Sequence, residues 1–273
     1  FYASNPISFY NSLEIIKKYN LPRNNCIFYN PRNNINFEVL PSKTVKIEFK
    51  NTSHLFSCPI VKFTVSNHKQ LNKLISSEAR LWRKDAHGVN VSNKGDSWHS
   101  PDGLMSRKEP GFSTISKMFP IAAHAYAKQI GAEIDIANYE FEANAWVNIN
   151  KKGGFNAIHT HGRFHISGVY YVKQPTVKSG QSGMIEFVNS RFDHHIFQEL
   201  NANAFAPKVS MRPEAGEMIV FPSTLLHSVY PNDSDEERIT IAWNLIFRKK
   251  SQRPVHFSNA PKFSQPKKAT LGI

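Results

Sequence analysis

From residue 139 to residue 247 the chain reads in twos. YEFEANAWVNIN alternates polar and apolar side chains, and NAIHTH, SGVYYVK, GMIEFV, KVSMRP, EMIVFP, LHSVYP and ITIAWNLIF follow as shorter runs. Clusters of Gly, Pro, Asn and Asp divide them. Successive side chains of a strand point to opposite faces, so this alternation predicts short antiparallel strands with one face buried. Upstream the period is helical. SNHKQLNKLISSEARLWRK opens on Ser66 or Asn67 as N-cap and carries Leu71, Leu74 and Ile75 as an apolar stripe. Residues 112–131 set Ile115, Phe119, Ala123, Tyr126 and Ile130 on one face, with Gly131 as the stop. Pro120 either kinks this helix or starts its main part. Residues 55–65 predict a first strand, and HGVNVSNKGDSWHSPDG a polar loop. Helices first and antiparallel strands after predict an α+β fold whose strands form a double-sheet jelly-roll barrel.

Length and charge divide the chain further. Its 273 residues, 40% hydrophobic, suffice for one large domain with extensions. Residues 1–53 read as an N-terminal extension, broken by Pro22 and Pro31, with a short alternating run at 43–49; residues 54–247 are the main domain. Residues 248–273 form a basic tail with seven Lys or Arg and no acid, within a formal net charge of +13. Such a tail suits docking on an acidic surface of the protein or of a second copy, as in a homo-oligomer; nucleic acid is the less favoured partner. The two cysteines, Cys26 and Cys58, give neither a disulfide framework nor a zinc-finger spacing. No apolar run reaches the roughly 18 residues of a membrane span, and the start has no basic segment before an apolar core. The chain is expected to be cytoplasmic and off the membrane. It opens on Phe1, so further residues are expected before it.

The chemistry concentrates between residues 156 and 172, NAIHTHGRFHISGVYYV. His159 and His161 are two apart and can share one face of a strand; His227 comes from a later strand. Imidazoles favour iron, copper, zinc or nickel over magnesium or calcium. One nitrogen of each should then approach a common ion to about 2.0–2.2 Å. Arg238 follows, with Thr240 on the same face. A guanidinium grips a carboxylate with two parallel hydrogen bonds and the hydroxyl adds a donor, which suits a dicarboxylate held in a barrel. Asp233, Asp235, Glu236 and Glu237 precede Arg238, so a surface ion pair is the competing reading. Asn148, Asn156, Ser167, Tyr171 and Asn244 are polar groups in apolar strands and candidates for the pocket wall. Arg163 and His165 either meet a substrate or face water, His194 and His195 in the long loop read as solvated, and Trp98 is either a wall of the entrance or a packing residue.

The stretches LFSCPIVKF, VNVSNKGDSWHS, NAWVNINKKGGFNAIHTHGRFHISGVYYVK, SGMIEFVNSR, PEAGEMIVFPSTLLHSVYPN and ERITIAWNLIF resemble the 2-oxoglutarate/Fe(II) oxygenases of marine bacteria and their phages. The resemblance runs from about Leu55 to Phe247. It implies a double-stranded β-helix of the jelly-roll or cupin type, flanked by N-terminal helices. It implies Fe(II) held by His159, His161 and His227, 2-oxoglutarate and O2 as co-substrates, and Arg238 on the C5 carboxylate with Thr240 beside it. From the residues themselves, Tyr171, Asn156 and Asn244 are further candidates for hydrogen bonds to the co-substrate, with satisfied core polar groups as the competing reading. The outcome implied is hydroxylation of a small-molecule or peptide substrate. Most of the wider superfamily has a carboxylate where this chain has His161, so the alternatives are a carboxylate from elsewhere, such as Asp193, or a three-histidine dioxygenase that does not use 2-oxoglutarate. A catalytically retired, phage-type binding protein with basic extensions is the non-enzymatic alternative.

Overall fold

The computed structural model describes residues 57–135, 137–177, 180–190 and 206–250. The N-terminal extension with its expected strand at 43–49, residues 191–205 of the long inter-strand loop, and the tail beyond Lys250 lie outside the described residues, so Cys26, Asp193, His194 and His195 do too.

The strand β1 (Val61–Thr64) leads into α1 (His68–Asp85). Asn67 stands at the N-cap as expected, but in the left-handed region at φ 54° and with no side-chain cap; Asn tolerates that conformation better than most residues. The buried stripe of α1 is Asn72, Ile75, Ala79 and Trp82, so the predicted stripe is rotated and Leu74 is 44% exposed. The displaced member is polar: the Tyr170 hydroxyl donates to Asn72 Oδ1 at 2.6 Å, so Asn72 is buried with a partner that apolar periodicity does not register.

The second helical region is two helices, α2 (Pro110–Ser116) and α3 (Met118–Gln129), meeting at Lys117. Pro110 opens α2, where its missing N–H is no loss. The Glu78 carboxylate of α1 accepts from the N–H groups of Gly111 and Phe112 at 2.8 and 2.9 Å, satisfying two donors that the helix itself cannot. Pro120 lies in the first turn of α3, and Gly131 ends the region at φ +75°. Ile115, Phe119, Ala123 and Tyr126 are buried as read, whereas Ile130 is 45% exposed. The expected polar loop contains two short strands, β2 (Asn93–Lys94) and β3 (Ser97–His99), too brief for any alternation to appear.

The remaining strands follow the predicted runs: β4 (Tyr139–Asn150), β5 (Phe155–His159), β6 (Ile166–Lys173), β7 (Ile185–Val188), β8 (Lys208–Met211), β9 (Glu217–Pro222), β10 (His227–Val229) and β11 (Arg238–Lys249). All pairings are antiparallel. One sheet runs β1-β9-β6-β11-β4-β3 and the other β2-β5-β10-β7-β8. β11 continues to Lys249, so Arg248, counted with the tail in the sequence, lies in the sheet and pairs with Glu142 at 2.8 Å.

The six-stranded sheet has two different faces. Its outer face carries Ile149, Tyr170, Val220, Ile241, Trp243 and Leu245 against the helices, each fully buried. Burying side chains of this size stabilises by roughly 1.5–3 kcal/mol apiece. Trp243 stacks on Phe119 at 5.2 Å and lies over Gly168, where an added Cβ would meet the indole at 2.3 Å. The inner face holds a smaller apolar cluster, Tyr171, Ile219 and Phe221 with Ile185 and Phe187 of the second sheet, and otherwise polar groups. Among the described residues no helix is long and apolar enough to cross a membrane.

Candidate active site

His159 closes β5 and His227 opens β10, and the two are cross-strand partners. His161 lies beyond the end of β5, so the three do not arise from a ladder pair on one strand as read from the spacing. Its backbone N–H instead bonds to the Ser223 carbonyl at 2.7 Å, in the turn between β9 and β10. This contact holds the chain beyond β5, and the His161 ring lies 4.9 Å from that of His159. One ligand atom from each of the three lies within 4.8 Å of the others.

Two of these rings are fixed by the same device. His159 Nδ1 lies 2.7 Å from the Ala157 carbonyl, and His227 Nδ1 lies 2.8 Å from that of Leu225. Each Nδ1–H donates to the carbonyl two residues back, which leaves Nε2 as the nitrogen with the lone pair a metal needs; in His159 that atom lies 3.5 Å from the Ser92 hydroxyl. Burial lowers the pKa of His159. Burial, then the neighbouring His227, His159 and His99, lowers His161 to about 3. Burial, then His159, lowers His227 to about 4. All three are therefore neutral at pH 7, the form that binds metal.

The histidines share a cavity with one buried cation. In the inner face of the large sheet, His99, Asn148, Thr240 and Tyr171 are successive cross-strand partners. Arg238 lies two residues from Thr240 on β11, 1% exposed, with no ion-pair partner among the described residues. The acids before it are engaged outside: Asp235 with Lys152 at 2.8 Å, Glu236 with Lys173 at 2.9 Å, Glu237 with Arg80 at 2.9 Å. The guanidinium carbon sits 5.4 Å from the centre of the Tyr171 ring. The Tyr171 hydroxyl is near the guanidinium without closing a hydrogen bond of good geometry, and neither that hydroxyl nor Arg238 Nε has another partner. Burial raises Tyr171 to about 12 and lowers the pKa of Arg238. Asn148 Oδ1 is a third buried polar atom without a partner. Isolated buried polar atoms are costly, so such a concentration in one cavity marks surface kept for a ligand.

Arg238, Thr240, Tyr171, Asn156, Asn148 and Ser167 all line this cavity with the three histidines. Asn244 does not; its Oδ1 accepts from the hydroxyl of its cross-strand partner Ser167 at 2.7 Å, on the same face of the sheet but outside the lining. Trp98 is a core residue packed edge-on to Trp82 at 6.0 Å, away from the entrance. His165 accepts from the Phe247 N–H at 3.3 Å, and Arg163 is exposed. Ser92, Trp146, Phe221 and Val229 also line the cavity. Trp146 was legible in principle, since it is two residues from Asn148 on a strand already read; Ser92, in the irregular chain before β2, carried no signal.

The donor set fits a borderline metal. Three neutral imidazoles converge, two with their second nitrogen tied to a carbonyl, and among the described residues no Asp or Glu lines the cavity. The unpaired guanidinium in the same cavity fits a carboxylate.

Residues 144–244, the stretch that builds most of this site, match the model of a family described as "Putative 2OG-Fe(II) oxygenase". The resemblance read from the sequence therefore holds over that segment. Among solved structures, a prolyl-4-hydroxylase from Pseudomonas putida is 14% identical, with a TM-score of 0.51, over 72% of this chain and 95% of that one. The non-heme alpha ketoglutarate dependent epimerase SnoN from nogalamycin biosynthesis is 13% identical, with a TM-score of 0.50, over 76% of this chain and 86% of that one. The architecture is the double-stranded β-helix of 2-oxoglutarate oxygenases. No curated protein matches the chain by sequence.

Proposed function

We propose that the chain is a 2-oxoglutarate/Fe(II)-dependent oxygenase, and a hydroxylase by outcome. The observation that carries this reading is Arg238: a fully buried guanidinium without a counter-ion among the described residues, in the same cavity as three convergent histidines. His159, His161 and His227 hold the iron. Iron held there would supply the redox chemistry that couples O2 and the decarboxylation of 2-oxoglutarate to succinate with hydroxylation of a substrate.

The chain's own residues do the rest. Arg238 offers two parallel N–H donors to the far carboxylate of 2-oxoglutarate, and Thr240 adds its hydroxyl. Tyr171, which stays protonated with its pKa pushed to about 12, is a further donor. Asn148 and Asn156 present amides to the near end of the co-substrate. Phe221, Ile185 and Val229 form an apolar wall that keeps water from the reacting centre. His161 in place of a carboxylate leaves the ligand set one charge more positive. A doubly charged co-substrate offsets the metal, and Arg238 is the only formal charge among the described residues that line the cavity. A small molecule or a peptide is the substrate class in keeping with this chamber.

The all-imidazole donor set also suits a dioxygenase that does without 2-oxoglutarate. Under that reading, however, a buried and unpaired Arg238 would have no counterpart. Succinate formation from 2-oxoglutarate with Fe(II) and O2 tests the choice. Wild type should produce succinate, and Arg238→Ala should need far more co-substrate while still binding metal. Iron binding with no 2-oxoglutarate binding or consumption would replace this reading with the second one.

A further inference from the structure

His161 differs from the other two histidines in how it is held. Among the described residues, no hydrogen bond engages either of its ring nitrogens, whereas His159 and His227 are each tied to a carbonyl. It also lies past the end of β5, in chain not held by a strand ladder. What it has instead is Trp146. The indole stands 5.5 Å from the His161 ring, tilted by 51°. His99 stacks on the same indole at 5.2 Å and 17°, and His99 is itself fixed, its Nδ1 2.7 Å from the Ser100 carbonyl.

The support behind this arrangement is rigid. Trp146 is 6% exposed, in a strand bonded on one side to β11 and on the other to β3. Its partner in register is Ala242, whose methyl leaves the inner face open for the indole. A metal-binding histidine usually has its second nitrogen oriented by a carbonyl or carboxylate. Here an aromatic face takes that part for one of the three.

Building on the metal reading above, we propose that Trp146 is a positioning residue for the metal site. The indole, clamped by His99, fixes the ring plane of His161, the histidine that stands where related sites carry a carboxylate. A carboxylate needs no such ring orientation, whereas an imidazole binds only along the lone pair in its plane. The row His99–Trp146–His161 is thus the structural counterpart of the exchange at the middle ligand position.

Ni(II), which resists air oxidation, is the probe, titrated calorimetrically at fixed pH into wild type, Trp146→Phe, Trp146→Leu, His99→Phe and His99→Leu. Loss of orienting partners behind metal ligands typically costs about 10–100-fold in metal affinity. Trp146→Leu should lose affinity in that range, while Trp146→Phe, which keeps an aromatic face, stays within about threefold of wild type. His99→Leu should weaken binding and His99→Phe restore it, so the proposal remains testable if Trp146→Leu fails to fold. Nickel should also quench tryptophan emission in wild type and much less in Trp146→Phe, since Trp82, Trp98 and Trp243 lie in the outer core. Equal affinity of wild type, Trp146→Leu and His99→Leu overturns the proposal and leaves the metal reading intact. Leucine performing as well as phenylalanine at position 146 reduces the residue to filler and overturns it too. A wild type that takes up no nickel removes the metal reading itself, and this inference with it.

Discussion

The two faces of β11 are buried almost equally and built in opposite ways. Ile239, Ile241, Trp243 and Leu245, on the helix side, are at 0% exposure; Arg238, Thr240 and Asn244, on the barrel side, are at 1–2%. On the helix side these four β11 side chains pack in the apolar core, with Trp243 Nε1 an orphan inside a large aromatic contact. On the barrel side Arg238 Nε, Tyr171 Oη and Asn148 Oδ1 are buried without partners around one cavity. Burial alone therefore does not separate core from site. What separates them is whether the buried polar groups are already satisfied, because unsatisfied ones cost stability unless something else arrives to pair with them.

The outer face should be where substitutions cost the most. Trp243→Ala removes the stack on Phe119 and uncovers Gly168, leaving a large cavity between sheet and helices. Large aromatic truncations in cores cost about 3–5 kcal/mol. Urea unfolding of apo protein would measure it, and a loss under about 1 kcal/mol would mean that the helix layer is not the main source of stability.

Acid should attack the other side. His227 and His161 have folded-state values of about 4 and 3, below their unfolded value of 6.5, because burial disfavours the charged form. The unfolded chain then binds protons that the native chain refuses. Stability is complete above about pH 6.5 and falls as pH drops toward 4, where the folded groups also begin to protonate. For His227 the full effect is of order 3 kcal/mol. Apo protein should melt several degrees lower at pH 5 than at pH 7, and metal should hold it up by occupying the same nitrogens. A melting temperature flat from pH 7 to 5 would mean that the triad is open to water.

These differences explain how much could be read in advance. Period-two runs gave β4 to β11 because each strand has one apolar face, and the outer core followed from it. The rotated stripe of α1 did not, since Asn72 is buried by a hydrogen bond to Tyr170, 98 residues away in sequence. β2 and β3 escaped notice because two- and three-residue strands have no period. His159, His161, His227, Arg238 and Thr240, singled out by their types and order, line one cavity. His161 gets there by a different route, beyond the end of β5 and tied by its backbone N–H to Ser223. Asn244 looked like its neighbours in the pattern, and only the geometry distinguishes a residue that lines the cavity from one that bonds to the lining.

Arg238→Met sharpens the comparison. It removes an unpaired buried charge and keeps the volume, so apo stability should hold or rise, as when buried ions give way to apolar groups of similar size. Affinity for 2-oxoglutarate should fall by about 30-fold or more, since truncating one side of a buried charge pair costs about 2–5 kcal/mol. Substrate-induced spectral titration and urea unfolding on the same preparations give both numbers. A variant that loses stability along with affinity would make Arg238 part of the core.

The smallest effect belongs to Thr240. Its hydroxyl sits between Asn148 and Tyr171 in the register of the large sheet, one position along from Arg238 on the same face. Thr240→Val keeps the branched shape and removes only the hydroxyl, so packing should be almost unchanged. A neutral hydrogen bond contributes about 0.5–1.5 kcal/mol net. That corresponds to roughly two- to tenfold weaker binding of 2-oxoglutarate. Thr240→Ser, which keeps the oxygen and loses the methyl, should bind the co-substrate like wild type and be slightly less stable. The two variants therefore move opposite quantities: valine moves affinity without stability, serine stability without affinity. If valine leaves affinity alone and serine lowers it, the methyl is what touches the ligand, and the wall at Thr240 belongs with the apolar cluster around Phe221 instead of with Arg238.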